Sequence, residues 1–175
     1  MKQLFTILTA VVLMILGCSC SDKPCNYELL TNATMGWKLV EATSEPGYEL
    51  PNGKIACDLI KDGYLYEYEL DDQITFMSGG VQIINPGMYL ADSDPVLGYQ
   101  NTVEARWSLS LDQSTLNMQI PFFYNNDGTS YSEEVEHCKI VHLSPNEMIL
   151  AYTFTDEELV AKGTYTFTLT YKAIR

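Results

Sequence analysis

The sequence predicts an all-β fold, an up-and-down antiparallel barrel of about eight strands with a short helix or coil excursion, and three observations predict it. Apolar and polar residues alternate with period two over most of the C-terminal half, as in strands buried on one face. Short turn signals separate the runs: Ser78-Gly79-Gly80, Asp112-Gln113-Ser114, Asn125-Asn126-Asp127-Gly128 and Ser144-Pro145-Asn146. Twelve tyrosines, with many Thr, Val and Ile residues, supply side chains that suit a pleated surface. Eight such strands close into a barrel whose interior is filled by side chains or holds one small ligand. A two-sheet β-sandwich is the alternative packing of the same strands. At 175 residues the chain accommodates one domain.

The chain opens with an address. Lys2, an uncharged apolar run over residues 4–16 and the small Gly17 are the parts of an export signal, residues 1–17. The run is about 13 residues, short of the roughly 20 that span a bilayer, so cleavage is expected. Ile15-Leu16-Gly17-Cys18 is similar to the lipobox of bacterial lipoproteins, in which the cysteine is diacylated and becomes the first residue. Cys18 is therefore the expected lipidation site, and its acyl chains a membrane anchor. Each buried methylene contributes about 0.8 kcal/mol, so several chains on one cysteine hold a protein without a spanning helix. By the same resemblance, Ser19 rather than Asp after the cysteine implies the outer membrane, on its periplasmic or cell-surface face.

The cysteines around this site do not have the paired two-residue spacings of zinc ribbons, and no metal is expected. In an oxidising compartment Cys25, Cys57 and Cys138 are disulfide candidates, with Cys20 in the tether and the pairing open. Ten Lys and Arg against 23 Asp and Glu give a formal charge of −13, which repels phosphate backbones and excludes nucleic acid as a partner. The acids are scattered along the chain and read as a solvated surface.

Residues 18–35, polar and with Pro24, read as a flexible tether, and residues 36–175 as the barrel domain. Strand one runs from Trp37 to Thr43, with Trp37 and Leu39 on one face and Lys38 and Val40 on the other. Residues 48–70 read as the helix or coil excursion, because Gly53 and Gly63 interrupt them while Ile55, Leu59 and Ile60 keep partial helical spacing. Residues 73–77 and 81–85 form a hairpin about Gly79-Gly80, and residues 86–101 a long loop. Next, Val103, Ala105, Trp107, Leu109 and Leu111 share a face, as do Leu116, Met118, Ile120 and Phe122. A strand over 134–143 follows, then Met148, Leu150, Tyr152 and Phe154 on one face. Last, Tyr165, Phe167, Leu169, Tyr171 and Ala173 alternate with four threonines.

Gly36-Trp37-Lys38-Leu39-Val40, Asp71-Asp72-Gln73-Ile74-Thr75-Phe76, Trp107-Ser108-Leu109-Ser110 with Leu116-Asn117-Met118, and Val141-His142-Leu143-Ser144 before Met148-Ile149-Leu150 occur in an order that resembles the lipocalin-like lipoproteins of Bacteroidetes. The resemblance covers roughly residues 36–172 and is one of order and pattern. It implies a lipocalin-like barrel, and it carries no catalytic signature.

His137 and His142, the two histidines, lie five apart and are expected on opposite faces of a strand, a surface or structural pair rather than metal ligands. No Ser-His-Asp, Cys-His or Gly-rich phosphate motif is present, so no catalytic residue and no cofactor are expected. The inward aromatic set is Trp37, Phe76, Trp107, Phe122, Tyr152, Phe154, Tyr165, Phe167 and Tyr171. It either fills a core or walls a cavity for an apolar molecule, with tyrosine hydroxyls as polar handles. The leading expectation is a lipid-anchored, non-enzymatic, monomeric envelope protein that binds a small hydrophobic ligand at one open end of the barrel. The second is a filled barrel whose loops 48–70 and 86–101 contact another envelope protein or a glycan.

Overall fold

The computed structural model describes residues 24–33, 35–65, 67–87, 102–123, 129–157 and 163–175. Cys18 and Cys20, most of the loop expected over 86–101 and the turn at 125–128 lie outside the described residues. The strands are β1 (Trp37–Glu49), β2 (Ile55–Asp58), β3 (Gln73–Met77), β4 (Val81–Asn85), β5 (Val103–Leu109), β6 (Thr115–Phe123), β7 (Thr129–Leu143), β8 (Glu147–Asp156) and β9 (Gly163–Ala173). They form one antiparallel sheet in the order β2-β1-β3-β4-β5-β6-β7-β8-β9, and β1 pairs with β9 as well. That pairing closes eight strands into a barrel and leaves β2 as an extra strand on β1. A single closed sheet excludes the two-sheet sandwich.

β1 reaches three partners because it is long and bent. It pairs β3 at Trp37 and Lys38, β9 from Trp37 to Glu45, and β2 from Thr43 to Glu49. A register shift between Leu39 and Glu41 leaves Val40 and Glu41 both outward, and Ala42 and Ser44 then carry on the inward face. Strand one therefore does not end at Thr43, and residues 48–70 are the expected helix or coil excursion except at the end of β1 and in the four residues of β2. The chain turns at Asn52-Gly53 and pairs back as β2, and only α2 (Glu67–Leu70) is helical. The reason is burial: Leu50, Ala56 and Leu59 pack with Tyr165 and Phe167 on the barrel's inner side.

The C-terminal strands follow the expected alternation. Val103, Ala105 and Trp107 are buried while Glu104, Arg106 and Ser108 are exposed. β8 and β9 pair continuously from Glu147 and Lys172 to Asp156 and Gly163. Their outer threonines meet across the ladder, Thr153 with Thr166 at 2.9 Å and Thr155 with Thr164 at 3.1 Å. Two positions depart from the expected pattern. Leu111 is fully exposed, because β5 ends at Leu109 and Asp112 gathers the following turn, accepting from Ser110 Oγ, Ser114 N and Ser114 Oγ. His137 and His142 both face outward, because a register shift between Ile140 and His142 turns the strand over.

The segment expected as a tether is packed in part. Asn26–Thr31 form α1, whose first turn is fixed by Cys25 N–H donating to Glu28 Oε2 at 3.1 Å. Leu30 is fully buried, and the Trp37 indole N–H donates to its carbonyl at 3.3 Å. Tyr27 stacks on Trp107 at 5.5 Å, and Asn26 Nδ2 donates to the Gln113 carbonyl at 2.8 Å. α1 thus plugs one end of the barrel over a core of Trp37, Phe76, Trp107, Leu116, Met148 and Leu150.

Gly36 sets the angle between plug and barrel. Its φ is +93°, and a Cβ there would stand 2.7 Å from Thr75 Oγ1 and 2.9 Å from the Ile74 carbonyl. Gly36→Ala is expected to cost about 2 kcal/mol from the left-handed backbone and the crowding together, read as a lowered thermal midpoint.

Among the described residues the disulfide candidates Cys25, Cys57 and Cys138 are not bonded to one another. Cys25 caps α1, Cys57 is exposed on β2, and Cys138 lies in the barrel core. Burial, with Glu136 adding, pushes the Cys138 thiol up to about 12. A thiol reagent is expected to modify Cys25 and Cys57 in the native protein and to spare Cys138 until denaturant is added, as read by peptide mass spectrometry.

Candidate functional site

The barrel is not filled along its whole length. Above the plugged core lie two adjoining cavities of about 370 Å³ and 210 Å³ that share Leu39, Glu136 and Tyr171. Strand alternation places these three: Leu39 and Tyr171 are register partners on β1 and β9, and Glu136 lies two residues before the inward Cys138 on β7.

The larger lobe lies away from α1. Phe167 and Leu169 pair with Ser44 and Ala42, further along β1 than the plugged end at Trp37. Its wall is aromatic and aliphatic. Tyr152 stacks on Phe154 at 5.4 Å, Phe154 meets Phe167 edge-on at 4.9 Å, and Tyr64 meets Phe167 at 5.3 Å. Leu59, Tyr64 and Leu65, from the segment between β2 and α2, complete it. Desolvation raises the Tyr64 and Tyr171 hydroxyls, which stay protonated as hydrogen-bond donors.

The smaller lobe is polar at one end. Glu69, Asp72, Gln82, Gln119 and Glu136 line it together with Ile74, Ile84 and Met118. Burial pushes the Glu136 carboxyl up to about 7. Asp72 is also pushed up to about 7, by burial first and then by the negative charge of Asp71, with Glu69 adding and an N–H from Gly87 opposing. Gln82 is 3% exposed, and among the described residues nothing donates to its Oε1. Among the described residues, neither lobe is lined by Lys, Arg or His.

Two solved structures are similar to this chain. Both are of bovine odorant binding protein, one in complex with undecanal and one with a selenium-containing odorant. Each has 16% identity and a TM-score of 0.43, covering 83% and 87% of this chain and 74% and 75% of theirs. No family model and no curated protein matches the chain. The chain's own strands form a closed eight-stranded antiparallel barrel with one added strand and, among the described residues, two short helices.

The nine aromatic residues singled out in the sequence divide between two places. Trp37, Phe76 and Trp107 belong to the plugged core, with Trp107 Nε1 donating to the Met77 and Val81 carbonyls at 3.1 Å and 3.0 Å. Tyr152, Phe154, Phe167 and Tyr171 line the larger lobe. Tyr165 is buried beside it, edge-on to Tyr48 at 5.0 Å, and of Phe122 only the backbone, in β6, is described. The polar lining of the smaller lobe was not anticipated. Gln82 and Glu136 carried a signal, since each occupies an inward position of an alternating strand where an apolar residue is the rule.

Proposed function

We propose that this protein is a non-enzymatic binding protein that holds a small hydrophobic ligand inside its barrel and is tied to the cell envelope, at the outer membrane, by lipid on Cys18. The observation that carries the binding reading is the larger lobe, whose volume of about 370 Å³ and aromatic wall suit a compact apolar molecule. The lobe's few polar groups, the Tyr64, Tyr152 and Tyr171 hydroxyls and Glu136, are the kind that orient a ligand in such a site. Two features support the lipoprotein reading: the lipobox-like Ile15-Leu16-Gly17-Cys18, and the resemblance to lipocalin-like lipoproteins carried by residues on β1, β3, β5, β6, β7 and β8.

The test is a titration with the lipophilic fluorophore N-phenyl-1-naphthylamine. Saturable enhancement is expected with the unaltered protein, and an affinity at least tenfold weaker with Leu169→Trp, which fills the larger lobe. No saturable binding, or binding that Leu169→Trp leaves unchanged, overturns the cavity reading. The anchor is tested separately by the mass of the mature N-terminus. Acylated Cys18 is expected, and an unmodified Cys18 overturns the anchor alone.

A further inference from the structure

We propose that the plugged end of the barrel docks on a phospholipid bilayer, with Leu111 and the groove beside α1 at the acyl boundary and Lys38 and Arg175 among the phosphates. This surface lies apart from the ligand cavity, and it draws on the envelope reading above for the presence of a membrane.

Strand direction brings α1 and the β3–β4, β5–β6 and β7–β8 turns to one end of the barrel. Leu111 stands fully exposed on the β5–β6 turn, and Tyr27 of α1, Met35 and Met77 are exposed at the same end. Tyr27, Trp107, Leu109 and Leu111 wall an open groove of about 520 Å³ beside Gly79 and Gly80. Exposed apolar surface gathered in this way marks a site that another apolar body covers.

Charge is divided along the barrel. At the plugged end Glu28, Asp112 and Glu147 are matched by Lys38, Lys172 and Arg175, in a chain whose formal charge is −13. All three acids are engaged: Glu28 accepts from Cys25 N–H, Asp112 from Ser110 and Ser114, and Glu147 from Lys172. Lys38 faces Lys172 across the β1–β9 ladder and, among the described residues, has no acidic partner, a like-charge opposition that an anion relieves. Arg175 donates to the neutral Asn146 side chain of the β7–β8 turn. Glu45 and Glu49 lie at the far end of β1, about 20 Å along the strand from Lys38 and beyond the screening length of about 8 Å at physiological salt. These acids therefore do not oppose an anionic surface at the plugged end.

The partner is a flat one. In the closed sheet the β5–β6 turn stands across the barrel from the β1–β9 ladder, so the apolar groove and the basic pair flank α1 on opposite sides. A bilayer meets both at once, with its phosphates for the cations and its acyl boundary for Leu111 and Tyr27. Cys18 lies seven residues before Cys25, which caps α1, and an extended stretch of that length spans at most about 25 Å. An anchor at Cys18 holds this end within that distance of the lipid.

Residues 19–175 hold every described element of the fold and lack both the apolar run and Cys18, so their binding to vesicles reads this surface without the anchor. Sedimentation with sucrose-loaded vesicles of phosphatidylethanolamine and phosphatidylglycerol is expected to saturate, and to be at least tenfold weaker with phosphatidylcholine alone. Leu111→Ser combined with Lys38→Ser is expected to weaken it at least tenfold at an unchanged thermal midpoint, and Lys54→Ser combined with Lys61→Ser to leave it unchanged. No binding to the anionic vesicles, or equal effects of the two double substitutions, overturns the proposal. So does a dimer seen by light scattering without lipid that Leu111→Ser abolishes, which assigns the face to a second copy. The mass of the mature N-terminus tests the anchor independently, so a failed anchor and a failed docking surface are told apart.

Discussion

Trp37→Ala is expected to be the most destabilising single substitution in the barrel, at about 4 kcal/mol. Trp37 is fully buried where α1, β1, β3 and β9 meet, so its removal leaves a cavity walled on several sides by elements that cannot collapse together. The indole also supplies the N–H that the Leu30 carbonyl accepts, and losing it leaves a buried acceptor unsatisfied. A domain of ordinary stability, about 5 to 15 kcal/mol, would lose a large fraction of it. Urea unfolding followed by far-ultraviolet circular dichroism reads the loss. Trp37→Phe is expected to lie between the two, and a loss under about 1 kcal/mol for the alanine variant would mean that α1 does not depend on this side chain.

Glu136→Gln is expected to stabilise the ligand-free protein by about 3 kcal/mol at pH 8 and by little at pH 4.5. The sign follows from where the proton sits. The carboxyl titrates near its ordinary value of about 4.3 in the unfolded chain and at about 7 in the fold. Between those values the native state holds the proton and the unfolded state has lost it, so stability falls as pH rises through this window and levels off above it. Asp72 acts in the same direction, with a contribution reduced by its greater contact with solvent. Asp58, Asp62, Asp112 and Glu147 have the opposite sign. Hydrogen bonds and lysine partners hold these acids low, so the stability they lend is lost as pH falls through the ordinary carboxylate range. The unliganded protein is therefore expected to be most stable at about pH 4 to 5, and Glu136→Gln to flatten the decline toward pH 8. Urea midpoints at pH 4.5, 6 and 8 measure both effects, and an unchanged decline in the variant would show that Glu136 ionises freely in the fold.

The barrel was legible because period-two alternation survives wherever a strand has one buried face, and β5, β8 and β9 have it throughout. What it could not convey were the places where the period slips. Val40 and Val141 each sit at a register shift that reassigns faces, and nothing in local composition marks them. α1 was hidden for a different reason. Its six residues are too few to show a helical stripe, and it is held by tertiary contacts of Leu30, Tyr27 and Asn26 with partners distant in sequence.

The candidate site was half legible on similar grounds. An inward aromatic residue is readable as inward, but whether it meets another across the barrel or faces space depends on eight strands at once. Trp37 and Phe167 look alike in sequence and end in a filled core and a cavity wall. The acidic lobe draws Asp72 and Glu69 from a segment with no regular period, and only Glu136 and Gln82 lie on strands where an inward polar residue stands out.

α1 stoppers the end of the barrel nearest the chain's N-terminal segment, and the aromatic lobe lies toward the opposite end. A molecule held in the aromatic lobe would therefore have the stopper at its back, and could exchange with the surroundings only at the far end or through the wall.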